Sequence, residues 1–124
     1  MIEKLQDLVN GNPGLVRRGK WTNAVMLLGI GNANWIITIR AGQIEAIAPE
    51  GWTVSPYDFA IRGTEEAWEK FWSPLPPPMH HDISALVRAG KVRMDGDIDM
   101  LLANFLYLKL VLEQLRGHYA PEAA

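Results

Sequence analysis

The apolar run from Ile98 to Leu115 constrains the fold of this chain more than any other stretch. At about 100° per residue, Ile98, Leu101, Leu102, Phe105, Leu108, Leu112 and Leu115 fall on one helical stripe suited to facing a core. The rest of the circumference carries Met100, Ala103, Leu106, Tyr107, Leu110 and Val111, and the polar residues Asp99, Asn104, Lys109, Glu113 and Gln114 are scattered. A helix apolar nearly all round must be covered nearly all round. The cover is a further layer of the same chain, a second subunit or a bound apolar ligand. Crossing a membrane takes roughly 20 apolar residues, and Asn104 and Lys109 interrupt this run.

The preceding elements describe what such a helix closes over. Ile2, Leu5, Leu8 and Val9 make a short amphipathic docking helix within residues 1–10, ended by the turn-forming cluster Asn10 to Gly14. Ala24 to Ile30, Asn34 to Arg40 and Gln43 to Ala48 read as strands separated by Gly31-Asn32 and Ala41-Gly42. Links this short allow only an antiparallel meander. Tyr57 to Arg62 alternates as a fourth strand with one wet face, with Tyr57, Phe59 and Ile61 on one side and Asp58, Ala60 and Arg62 on the other. Thr64 then caps a helix whose Trp68, Phe71 and Trp72 fall at i, i+3 and i+4. Pro74 and Pro76 to Pro78 forbid helix. Asp82 caps the helix Ile83 to Ala89, Gly90 is its C′ residue, Lys91 to Asp95 is a fifth strand, and Asp97 caps the terminal helix. Strands early and helices late give an α+β fold, a five-stranded, mostly antiparallel sheet with helices segregated on one face.

The 124 residues suit one domain, 1–124, with 117–124 as a polar tail. A net charge of -2 offers no basic surplus for nucleic acid. The absence of cysteine removes disulfides, thiolate metal sites and Cys nucleophiles, and with no basic, apolar leader at the N-terminus the expected location is the cytoplasm.

The strand Phe59-Ala60-Ile61-Arg62-Gly63 running into Thr64-Glu65-Glu66-Ala67-Trp68, then Ala89-Gly90-Lys91-Val92-Arg93-Met94-Asp95-Gly96-Asp97 before the apolar helix, resembles the sterol carrier protein (non-specific lipid-transfer) domain family. The resemblance spans almost the whole chain and is most specific at Gly90 to Asp97. It implies a five-stranded sheet covered by helices, with an apolar tunnel between them that takes fatty acyl, sterol or similar ligands. The Pro76 to Pro78 run and the His80-His81 pair depart from the family pattern at the mouth of such a tunnel. With the resemblance, the expected tunnel lining is Trp68, Phe71, Trp72, Met79, Leu86, Met94, Leu101, Leu102, Phe105 and Leu106, with His80 or His81 at the ligand head group. The expected activity is carriage of an apolar or amphipathic small molecule, without cofactor or metal. The alternative is a ligand-free dimerisation module serving a partner enzyme.

Catalytic readings find little support. Asp95, Asp97 and Asp99 alternate like a Ca²⁺ loop, but the required Gly and Glu positions hold Met100 and Leu106. The pair His80-His81 has only His118 as a third imidazole and lacks ligand spacing. Ser55, Ser73 and Ser84 sit in no nucleophile elbow, and Gly29 to Asn34 lacks the third glycine of a dinucleotide turn. No enzyme is expected. Arg17-Arg18-Gly19-Lys20 is solvated surface or, at most, a weak contact for acidic lipid headgroups.

Overall fold

The structure, a computed structural model, describes residues 2–51 and 56–118. Its elements are α1 (Lys4–Asn10), α2 (Pro13–Arg18), β1 (Asn23–Ile30), β2 (Ala33–Arg40), β3 (Gln43–Pro49), β4 (Phe59–Gly63), α3 (Glu65–Phe71), α4 (Ile83–Arg88), β5 (Val92–Gly96), α5 (Ile98–Ala103) and α6 (Phe105–Glu113). The sheet order is β3-β2-β1-β4-β5. Pairs β1–β2, β2–β3 and β4–β5 are antiparallel, whereas β4 returns beside β1 in parallel, with Met26 opposite Phe59 and Leu28 opposite Ile61.

One face of the sheet carries the core. Ala24, Met26, Leu28 and Ile30 of β1, Ile37 and Ile39 of β2, Ile44 of β3, and Phe59 and Ile61 of β4 are buried in a single cluster with side chains from all six helices. In β3 a simple alternation puts Ile44 and Ile47 on opposite sides. A bulge resolves this: Ile39 pairs with Ile44 and Ile37 with Ile47, so the extra residue returns Ile47 to the core face. The wet second face expected of β4 is not realised at Ala60, whose small side chain is fully buried between Leu27 and Asp95, its partners on the two flanking strands.

The outer edge of β3 is covered by α1. Asn10 acts as a surrogate strand: its Oδ1 accepts from Ile44 N at 2.8 Å, its Nδ2 donates to Ile44 O at 2.9 Å, and Gln6 Nε2 adds a donor to the same carbonyl. Past α1 the chain is not simply turn. Asn12 accepts from Leu15 N and Pro13 occupies the first helical turn, so α2 forms where the cluster from Asn10 to Gly14 reads as turn alone.

The Gly90 to Asp97 segment has a physical rationale at both glycines and at Asp97. Gly90 at φ +73° closes α4 in a Schellman motif, with Lys91 N donating to Leu86 O and Gly90 N to Val87 O. Gly96, at φ +89°, lies so close to Asp58 and Phe59 that a Cβ would sit 2.8 Å from their backbone atoms. Asp97 Oδ1 then accepts from Met100 N and starts α5.

The run from Ile98 to Leu115 is two helices rather than one. Asn104, at φ -113° and ψ 12°, breaks it: its Nδ2 donates to Met100 O and its Oδ1 accepts from Thr22 Oγ1 at 2.8 Å. Side-chain competition for backbone partners is the reason asparagine interrupts helices. The break changes which faces are covered. Leu101, Leu108, Leu112 and Leu115 are buried as the stripe requires, but so are Tyr107 and Val111, while Leu102 and Leu106 are more than half exposed.

Tyr107 is locked by this rotation. Its hydroxyl donates to Gly42 O at 2.7 Å, and burial pushes its pKa up to about 12. The fold therefore favours the neutral phenol. Its contribution is complete below about pH 10, where a free tyrosine titrates, and about 2 to 3 kcal/mol is lost as pH rises through 12. Urea midpoints measured at pH 8 and pH 11.5 are expected to differ less in Tyr107→Phe than in the wild type; equal differences would remove Tyr107 as the cause.

Candidate ligand-binding region

Helix α3 begins at Thr64, whose Oγ1 accepts from Ala67 N at 3.0 Å, and this phase turns its aromatic stripe onto the sheet. Trp68, Phe71 and Trp72 are fully buried. The two indoles stack with centroids 4.9 Å apart and planes at 20°, and Phe71 meets Trp68 edge-on at 5.7 Å. Both indole N–H groups have carbonyl acceptors, Gly29 O at 2.8 Å for Trp68 and Leu112 O at 2.7 Å for Trp72. The aromatic group thus ties α3 to the sheet on one side and to α6 on the other.

Of the remaining apolar residues expected to line a tunnel, Leu86 and Leu101 are fully buried in the same cluster, and Met94 and Phe105 pack against it half-buried. Leu102, Leu106 and Met79 are 55 %, 59 % and 59 % exposed, on the outside of α5, the outside of α6 and a loop residue at φ +71°. The interior members therefore converge and the outer three do not.

The two histidines separate. His80 is buried, with Nδ1 2.9 Å from Pro78 O and Nε2 3.2 Å from Lys91 Nζ. An ammonium can only donate, so Nε2 accepts and the ring proton sits on Nδ1, donating to Pro78 O. His81 is exposed, and its backbone carbonyl accepts from Arg116 Nη2 at 2.9 Å. Arg116 also donates to Phe71 O and lies over the Phe71 ring at 4.9 Å, and Gly117 N donates to Trp72 O. The chain beyond α6 is thereby fastened to α3 through residue 117; the Pro-Glu-Ala-Ala end lies outside the described residues.

Beside this region Asp82 joins α4 to α6. Its carboxylate accepts from Ser84 N and from Lys109 Nζ, both at 2.9 Å. Burial pushes its pKa up, but those two donors outweigh burial and hold it below the usual carboxylate range.

Ser73 Oγ donates to Lys70 O, Ser84 stands at the start of α4, and Ser55 lies outside the described residues. Among the described residues no three His, Asp or Glu are grouped to hold a metal ion, and no helix is long and apolar enough to cross a membrane.

Solved structures share this arrangement. A crystal structure of sterol carrier protein 2 superposes with a TM-score of 0.73 at 11 % identity, covering 98 % of this chain and 94 % of that one. The chain has the sterol carrier protein 2 fold. A conserved hypothetical protein from Thermus thermophilus, described as possibly a sterol carrier protein, matches over 96 % of this chain and 86 % of its own with a TM-score of 0.72 at 9 % identity. UbiJ-SCP2, a ubiquinone synthesis protein, gives 0.60 at 15 % identity over 95 % and 89 %. No family model matches the sequence, and no curated protein does.

Within the sterol carrier protein 2 fold, sequence reasoning overlooked two groups of residues. The first is the knot of Gly19, Gly42 and Tyr107, whose only sequence signal is the pair of glycines. The second is the set of cations at one end of the sheet, Arg62, Lys91 and Arg93, which line a cleft of about 510 Å³ with Gly31, Asn34 and Thr64. Arg62 lies far from the other two in sequence, and the pairing of β4 with β5 brings it opposite Arg93.

Proposed function

We propose that the chain binds and carries an apolar or amphipathic small molecule of the fatty acyl or sterol-like class, held between the sheet and helices α3 to α6. The observation that supports this reading best is the fold itself, which covers nearly the whole of a sterol carrier protein 2, a protein whose name states its cargo. The chemistry of the region agrees. Trp68, Trp72, Leu86 and Leu101 offer an apolar wall, the indole N–H groups are already satisfied, and nothing there requires a charged ligand. Met94 and Phe105, half-buried at its margin, would border the opening, and His81 is the exposed histidine that could meet a polar head.

A chain of about 14 methylenes would gain roughly 11 kcal/mol on burial, and an association cost of about 4 kcal/mol or more leaves an affinity near micromolar. No cofactor enters this function. The comparisons give no support to a ligand-free homodimer. Native mass spectrometry of the purified protein mixed with a long-chain fatty acid is the direct test. One ligand per monomer is expected; a dimer that takes up no ligand would replace this reading with the structural one.

A further inference from the structure

The cleft of about 510 Å³ lies where the β1–β2 turn, the end of β4 and the start of β5 meet, lined by Gly31, Asn32, Asn34, Arg62, Gly63, Thr64, Gly90, Lys91 and Arg93. Three of these are cations and none is an acid. Arg62 and Arg93 are direct register partners across β4 and β5, so their side chains leave the same face from positions about 5 Å apart. Asn34 shares that face, since a Cβ on Gly29 would touch both Arg62 and Asn34. These three side chains leave the face of the sheet opposite the core, and Thr64 and Gly90 at the ends of α3 and α4 complete the rim, so the cleft opens outside the apolar interior and does not depend on the lipid reading.

The charge lining the cleft is of one sign. Arg62 is met by Asp95, with Nε to Oδ2 at 2.9 Å, and its Nη2 donates to Tyr57 Oη at 3.0 Å. Those bonds hold the guanidinium still and leave Nη1 uncommitted. Arg93 has no carboxylate partner among the described residues. Lys91 Nζ lies 3.2 Å from His80 Nε2, and its charge also helps to hold the Glu66 carboxyl below the usual range. The acids around the rim of the cleft are Glu66, paired with Lys70 at 2.8 Å, Glu50, which accepts from the Asn34 amide at 3.2 Å, and Glu65 beside Gly31. Arg93 therefore stands directly opposite the fixed Arg62 guanidinium, and like charges directly opposite on neighbouring strands destabilise a sheet. Gly90 has open space around its Cα, which leaves the backbone there approachable.

We propose that this cleft is an oxyanion site for a phosphate-class anion, bound by the Arg93 fork and Lys91 with Arg62 Nη1 as a prepositioned further donor. Forked guanidinium donors suit phosphate oxygens in pairs, and an anion there relieves the repulsion between Arg62 and Arg93. The phosphate is either free or the head of a phosphorylated lipid.

The test is calorimetric titration together with thermal melting in a low-salt buffer, with inorganic phosphate and with dihexanoyl phosphatidic acid as probes and sodium chloride of equal ionic strength as the control. Saturable phosphate binding and a rise in Tm beyond the chloride control are expected. Arg93→Gln and Lys91→Gln, both at exposed positions, should each weaken binding at least tenfold, and Arg93→Gln should raise the Tm in phosphate-free buffer by removing the like-charged neighbour. Binding of dihexanoyl phosphatidic acid at least tenfold tighter than inorganic phosphate assigns the site to a lipid head group, and equal binding assigns it to free phosphate; either supports the site. Absence of saturable binding of both probes, or binding unchanged in the double variant, overturns it.

Discussion

Replacing Gly42 by alanine is expected to lower the thermal unfolding midpoint by more than about 10 °C. Gly42 is at φ +79°, in a turn whose preceding residue Ala41 is also at positive φ, the geometry that joins β2 to β3 with the natural twist of a hairpin. A side chain there costs about 1 to 2 kcal/mol in conformation alone. The added Cβ would also collide with the backbone of α2 at Val16 and Gly19, atoms that cannot swing aside, and overpacking of this kind costs about 1 to 3 kcal/mol more. The damage spreads because Gly42 O is the acceptor of the Tyr107 hydroxyl. Gly19→Ala should act on the same contact from the other side, since its Cβ would overlap the Cδ1–Cε1 edge of the Tyr107 ring. Retention of the wild-type midpoint in both variants would show that the turn, α2 and α6 are not coupled in this way.

Trp72→Ala is expected to remove about 5 kcal/mol, a third or more of the stability of an ordinary domain. The indole is fully buried, stacked on Trp68, and donates to Leu112 O, so its deletion leaves a cavity and an orphaned carbonyl together. Trp72→Phe keeps most of the volume and loses the donor, for a cost of about 2 kcal/mol. Urea unfolding followed by far-ultraviolet circular dichroism orders the three proteins. Equal losses in the alanine and phenylalanine variants would assign the effect to the hydrogen bond alone.

The legible parts of this fold are those written by local chemistry. Thr64, Asp82 and Asp97 cap helices as Ser, Thr and Asp do wherever the following residues are helix formers, and Gly90 and Gly96 stand where the backbone turns left-handed. Alternation in β1 and β2 and their short turn force the antiparallel hairpin. The parallel seating of β4 beside β1 was less accessible, because no local signal states which earlier strand a later one will join. Asn104 was visible as a polar interruption, but its effect depends on Thr22, 82 residues away, which accounts for the broken helix and the exposed Leu102 and Leu106. The same limit applies to the candidate regions. Trp68, Phe71 and Trp72 announce themselves by helical spacing, whereas Arg62 and Arg93 become neighbours only through the register of β4 and β5.

The central claim, carriage of an apolar ligand between the sheet and the late helices, is tested most directly by titrating the folded monomer with a fluorescent long-chain fatty acid while following tryptophan emission. The account predicts saturable binding of one ligand per chain near micromolar affinity, with a change in emission from the buried Trp68 and Trp72. Failure of the folded protein to bind any of a fatty acid, a sterol or an acyl-CoA saturably would contradict it.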